Sequence, residues 1–274
     1  MFVNIYKNFL KIYKIIEPTT RAVPFVLSIP HCGTGIPDNL SVAYQKDQLE
    51  NLDDTDWFLD KLYDFAPSLG ITTIIPFYSR WVIDLNREPN NESLYSDGRI
   101  ITSLCPTTNF LGEEIYRKDY ALNQQEIENR RTRYFNPYHE KINELLKNFK
   151  SRFNQAFFWD AHSIRRHVPT IHKTPFPDLI IGDNESTSCD NKFTNITKKA
   201  LMKSGLQVNH NHPFKGGYLT RSKGDPRQHI HAIQLEMCKD LYMSHNETKY
   251  DEEKAAEIKK ILKNTFQHLI ESLI

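Results

Sequence analysis

The sequence is poor in cysteine: Cys32, Cys105, Cys189 and Cys238 are the only four in 274 residues, and no two form a C-x-x-C pair. Neither a disulfide framework nor a structural zinc knuckle is indicated, and a reducing cytoplasm fits. Excess charge is also missing. Lysine plus arginine total 35 against 34 acidic residues, so the balance does not call for nucleic acid or an anionic membrane, and a small molecule is the better default partner. Arg130, Arg131 and Arg133 form the one basic cluster, which reads as a solvated helix face. Nowhere do about 20 apolar residues run together, which excludes a spanning helix. With no internal repeat, low-complexity stretch or linker, a single domain over residues 1–274 is expected, long enough to bury a sizeable core without crosslinks.

In the first 23 residues, Lys7, Lys11 and Lys14 interrupt the apolar stretch. Without an unbroken hydrophobic region or a small-residue cleavage site, secretion is not expected. Phe2, Ile5, Phe9, Tyr13 and Ile16 recur at roughly helical spacing. A short terminal helix packed on the domain is the plain reading, with a membrane-surface helix as the alternative.

What the chain does contain is an alternation of short apolar runs with helical patterns, the arrangement of an α/β layered fold. Strands are predicted at Phe25 to Ile29, Ile71 to Ile75, Trp81 to Leu85, Ala156 to Trp159, Leu179 to Ile181, Leu206 to Val208 and Ala232 to Met237. Helices are predicted over Trp57 to Ala66, Glu113 to Lys150, Lys192 to Lys203 and Asp251 to Leu273. The last carries an apolar stripe of Ala255, Ile258, Ile261, Leu262, Phe266, Leu269 and Ile270 suited to packing on a sheet. Pro137 should break or bend the long central helix near Asn136.

Several predicted strands run into chemically active side chains. "FVLSIPHCGTGIP", residues 25 to 37, ends an apolar run in His31, the place where open α/β sheets bind ligands. "LDDTDW", residues 52 to 57, supplies three aspartates, and helix capping accounts for one. "FFWDAHS", residues 157 to 163, ends in Asp160 and His162, two apart and so on one side of an extended chain. His31, His162 and an aspartate of the 54 to 56 stretch give two imidazoles and a carboxylate, the ligand set of catalytic zinc sites. "SRWVIDLNREP", residues 79 to 89, aims Asp84, Asn86 and Arg87 toward one point, and Arg87 could clamp a carboxylate in bidentate fashion. Glu236 interrupts the apolar strand of "HAIQLEMCKDLYM" and is a candidate general base.

"SIPHCGTGIP", "DDTDW", "SRWVIDLNR", "DAHS", "LIIGD", "PFKGGYLTR" and "IHAIQLEM" fall in the order and spacing of the N-formylglutamate amidohydrolase family, which the chain resembles over about residues 24 to 243. The chain departs from the usual pattern at Cys32, where serine is more common. The family belongs to a wider group with aspartoacylase, succinylglutamate desuccinylase and the zinc carboxypeptidases. The resemblance therefore implies an α/β fold of three αβα layers around a mixed central sheet, and one bound zinc ion. It implies that His31 and His162 are metal ligands, with the carboxylate from Asp54 or Asp56. Arg80 matches the arginine that polarises the scissile carbonyl, Asn86 and Arg87 the pair that grips the substrate α-carboxylate, and Glu236 the base. Lys215 and Arg221 of "PFKGGYLTR" are candidates for a second carboxylate. The activity implied is hydrolysis of N-formyl-L-glutamate to formate and glutamate, of the histidine-degradation type, with a small N-acyl amino acid as partner. A zinc deacylase for another acyl group or a small peptide is the alternative, and a non-catalytic binding protein on the same fold is the rival of another class.

Overall fold

The protein is described by a computed structural model covering residues 11–92, 94 and 102–274. Its strands are β1 (Tyr13–Ile16), β2 (Phe25–Ser28), β3 (Thr72–Pro76), β4 (Ala156–Ile164), β5 (Leu179–Gly182), β6 (Val208–His210) and β7 (Ile230–Cys238). Its helices are α1 (Asp38–Ser41), α2 (Lys46–Glu50), α3 (Leu59–Leu62), α4 (Gln124–Arg130), α5 (Asn136–Phe153), α6 (Asn191–Met202), α7 (Tyr218–Lys223) and α8 (Glu252–Leu273). The seven strands form one sheet in the order β1-β3-β2-β4-β7-β5-β6. Its centre, β3-β2-β4-β7, is parallel, β1 and β5 join antiparallel, and β6 pairs parallel with β5. None of the described helices is long and apolar enough to cross a membrane.

Successive strand residues face opposite sides of the sheet, and this sorts the core into two layers. Phe25 and Leu27, Phe157, Trp159 and Ala161, and Ile233, Leu235 and Met237 face one side, packed on α3, α6 and α8 through residues such as Leu59, Phe193, Leu262 and Phe266. Val26, Phe158 and Ala232 face the other side, toward Tyr138, Ile142 and Leu146 of α5. The result is the expected αβα arrangement around a mixed sheet. On the α5 side the same alternation turns polar toward the carboxyl ends of the strands, where Asp160 and His162 of β4 lie beside Gln234 and Glu236 of β7.

Six of the seven predicted strands are present. The seventh, Trp81 to Leu85, is buried but not a strand. Its backbone is satisfied one group at a time. Asp84 N donates to Leu104 O, Tyr44 Oη to Trp81 O, Arg130 Nη1 to Val82 O and His139 Nε2 to Leu85 O. A short apolar run of this kind reads the same whether a sheet or side chains take up its carbonyls. The predicted terminal helix also fails where it can be seen: Tyr13 and Ile16 lie in edge strand β1, whose half-buried residues pair with β3, while Phe2, Ile5 and Phe9 lie outside the described residues. The central helix begins at Gln124, capped by the Asn123 side chain, rather than at Glu113. Near Pro137 it contains a π-helical turn over Arg131–Phe135, which admits the imino acid without ending the helix.

Candidate active site

The site is assembled from five chain segments at the carboxyl end of the parallel strands. His31 follows β2 on a loop pressed against residues 76 to 79. A Cβ on Gly33 would strike the carbonyls of Tyr78 and Pro76, so glycine is required there. Asp56 is fixed to this loop by its own amide, which donates to His31 O at 2.9 Å. His162 and Glu236 are direct partners in the parallel β4/β7 register and so project side by side. The segment after Ser79 delivers Arg80, Asp84, Asn86 and Arg87 to the same cleft.

His31, Asp56 and His162 are all buried, and one ligand atom from each lies within 4.8 Å of the others. Asp56 Oδ2 lies 3.7 Å from His31 Nδ1 and 3.2 Å from His162 Nδ1. Both outer nitrogens face carboxylates: His31 Nε2 is 2.8 Å from Asp84 Oδ1, and His162 Nε2 is 3.1 Å from Asp160 Oδ1. This is how metal-binding imidazoles are oriented, with one nitrogen turned outward to an acceptor and the other turned inward toward the shared centre. Arg80 Nη1, 3.2 Å from His31 Nδ1, presents a donor to that inner nitrogen. Burial and then the Arg80 charge lower the His31 pKa, so the ring is neutral, with its proton toward Asp84. Burial also opposes a charge on His162, but Asp160 and Asp56 outweigh it and raise its pKa well above the ordinary value. The donor set of two imidazoles and a carboxylate thus fits a zinc-class divalent ion.

The three aspartates of "DDTDW" have separate tasks, and none caps α3, whose N-cap is Phe58. Asp53 pairs with Arg165. Asp54 accepts from Trp81 Nε1 at 3.0 Å and from Phe110 N at 2.9 Å, so its oxygens are committed away from the two histidines. Asp56 is the one beside them.

Glu236 lines the cleft next to His162. Burial, reinforced by the Asp56 and Asp160 charges, raises its pKa to about 8 against the pull of His162 and Arg80. A carboxyl raised this far in a cleft has the character of an acid–base group. Arg80 Nη2 donates to Asp84 Oδ2 at 2.5 Å, and its guanidinium lies 4.6 Å from the Phe110 ring centre. Burial disfavours the Arg80 charge, but Asp84, Asp54 and Asp56 hold it protonated. Arg87 Nη2 donates to Thr102 Oγ1 at 2.9 Å, and both residues line the cleft. Asn86 Oδ1 accepts from Leu219 N, and its Nδ2 lies 2.9 Å from His162 Nε2, so it ties α7 to the histidine. Phe110, Ile164, Ile171 and Phe214 form the apolar wall.

Lys215 and Arg221 are not among the described lining residues. Lys215 Nζ pairs with Glu185 at the surface, and Arg221 donates to Gly216 O and Leu94 O. Sequence reasoning gave no separate role to Asp84 and Asp160 as partners of the histidines. Asp160, two residues before His162 on one strand face, carried a readable signal. Cys32 donates weakly to Ile29 O at 3.4 Å and does not line the cleft.

Comparisons with known proteins agree with this arrangement. Residues 23–243 match the sequence model of the family described as N-formylglutamate amidohydrolase. The N-formylglutamate deformylase of Pseudomonas aeruginosa is 39% identical over 223 residues, 81% of this chain and 82% of its own. That of Pseudomonas putida is 35% identical over 259 residues, 94% of this chain and 96% of its own. The crystal structure of N-formylglutamate amidohydrolase from Ralstonia eutropha JMP134 superposes with a TM-score of 0.81 at 25% identity, covering 96% of this chain and 98% of that one. A match over most of its length, to relatives named for hydrolysis of an amide bond, makes the chain a member of the N-formylglutamate amidohydrolase family.

Proposed function

We propose that the protein is a zinc-dependent deformylase that converts N-formyl-L-glutamate to formate and glutamate. The observation that carries this reading is the convergence of His31, Asp56 and His162 with Glu236 and Arg80 at one end of the sheet, in a chain 35 to 39% identical to proteins named for that reaction. His31 and His162, through their Nδ1 atoms, and Asp56 would hold the ion. When bound, the ion supplies Lewis acidity to the carbonyl and acidifies water.

The chain's own residues do the rest. Arg87 binds the substrate carboxylate in a fork geometry that lysine cannot reproduce. Glu236 accepts the proton of the water that attacks the formyl carbon, and Arg80 donates to the oxygen on which negative charge develops. Glu236 then returns the proton to the departing amine nitrogen, so formate and glutamate leave with the carboxylate restored. Asp84 and Asp160 keep the imidazoles oriented, and the apolar wall limits competing water.

Formate release from N-formylglutamate by the purified chain, with and without added divalent metal, tests the proposal. No release at any metal loading would refute it. Arg87→Ala is expected to raise KM at least 10-fold with a smaller change in kcat, because a carboxylate clamp acts equally in ground and transition states. A collapse of kcat at constant KM would place Arg87 at the reacting carbonyl instead.

A further inference from the structure

The segment that carries Arg80, Asp84, Asn86 and Arg87 belongs to no strand, yet its position must be accurate. Three of its carbonyls are held by side chains from outside it. Tyr44 Oη donates to Trp81 O at 2.8 Å, Arg130 Nη1 to Val82 O at 3.2 Å and His139 Nε2 to Leu85 O at 2.8 Å. Arg130 is 1% exposed and is itself fixed: Nη1 donates to Tyr116 Oη at 2.7 Å and Nε to Glu126 Oε1 at 2.8 Å, while Tyr44 and Tyr116 lie ring to ring. Burial lowers the His139 pKa to about 3, so the ring stays neutral and donates to Leu85 O across the working pH range.

Arg130 and His139 are nine residues apart along one continuous helical stretch. At about 100° per residue a regular α-helix would set them about 180° apart, on opposite faces. The π turn over Arg131–Phe135 lies between them. It takes up roughly one extra residue and cuts that angle to about 80°, so both side chains reach the same segment.

Resting on the deformylase reading, we propose that Tyr44, Arg130 and His139, phased by the π turn, are positioning residues that hold the 80 to 87 segment, and through it the oxyanion arginine, the carboxylate clamp and the Asp84 support of His31, in working geometry. None of the three lines the cleft. Their effect is transmitted through the backbone they grip.

The experiment uses the full chain, unaltered and as Tyr44→Phe and Arg130→Lys. Amide hydrogen exchange of the 80 to 87 segment and steady-state kinetics are read on the same preparations. Tyr44→Phe removes one hydroxyl, so it should leave β2 and β4 protected while exchange in the segment rises selectively. Formate release should fall about 10-fold or more in kcat/KM, the scale of small misplacements of reacting groups. Arg130→Lys should do the same despite keeping the charge. Unchanged exchange in the segment, exchange that rises equally over the whole sheet, or a loosened segment with unchanged kcat/KM would each overturn the proposal. If the unaltered chain releases no formate, the deformylase reading fails and the exchange pattern alone decides the clamp.

Discussion

Glu236→Gln is expected to leave a folded protein that still binds metal and substrate and turns over at least about 10²-fold more slowly, the usual contribution of a positioned acid–base group. Glutamine has the size of glutamate and keeps a carbonyl acceptor, so the packing of β7 beside His162 is preserved. What is lost is the ability to take up a proton. The pH profile adds a second readout. The carboxyl is active as a base only when ionised, so kcat/KM of the unaltered enzyme should rise with pH along an acid limb. Burial sets the Glu236 pKa at about 8 without a cation, and a cation at the neighbouring ligands lowers it, which places the midpoint of that limb below 8. In Glu236→Gln the limb should vanish. A stable variant with full turnover, or a residual rate that keeps the same limb, would assign the proton to another group. The alternative of a purely structural glutamate predicts a lower melting temperature with activity intact in the folded fraction, so a thermal melt beside the assay separates the two.

The second large effect is on metal content. His162→Ala and Asp56→Ala each remove one of the three proposed ligands and should reduce zinc occupancy at micromolar metal to near zero, with activity lost in parallel. Asp54→Ala should keep its zinc. Its cost appears as stability, because the buried Trp81 indole N–H and the Phe110 amide lose their acceptor, at about 1 to 3 kcal/mol for each unsatisfied group. A loss of catalytic rate accompanies it, since Phe110 lies against the Arg80 guanidinium. Metal analysis and calorimetric melting of the three variants give opposite patterns for the two aspartates. Full occupancy in Asp56→Ala with an empty Asp54→Ala would reverse the assignment. Metal affinity should also weaken in acid, because protons compete with the ion for the imidazole nitrogens and the Asp56 carboxylate.

Much of the fold was legible because its signals are local. The runs of β2, β3, β4, β5 and β7 are apolar over several residues and end in glycine, proline or polar chain, and α8 displays one stripe. Trp81 to Leu85 was misread because β-strand composition reports burial rather than hydrogen-bond partners, and here those partners are Tyr44, Arg130 and His139, distant in sequence. Edge strand β1 was misread as a helix because a four-residue strand with every side chain half-buried has no clean alternation. The histidines and Glu236 stood out as polar residues at the ends of apolar strands. The choice between Asp54 and Asp56 lay beyond sequence, since both flank Thr55 and only the turn after His31 decides which faces the imidazoles. Lys215 reads as a ligand-binding cation beside two glycines. Its pairing with Glu185 is not legible in sequence.

The order of strands across the sheet has a consequence for how the protein is made. β5 and β6 join the remainder of the sheet only through β7, which lies between β4 and β5. During synthesis the chain therefore completes β2, β3 and β4 and then waits for residues up to Cys238 before the sheet can close. At roughly 5 to 20 residues per second that delay lasts several seconds, during which the β7-facing edge of β4, flanked by Phe157, Phe158 and Trp159, is an open template for pairing with other chains. Glu236, the proposed base, arrives with the strand that covers this edge, so a nascent chain gains its catalytic group and its protection from aggregation in one event.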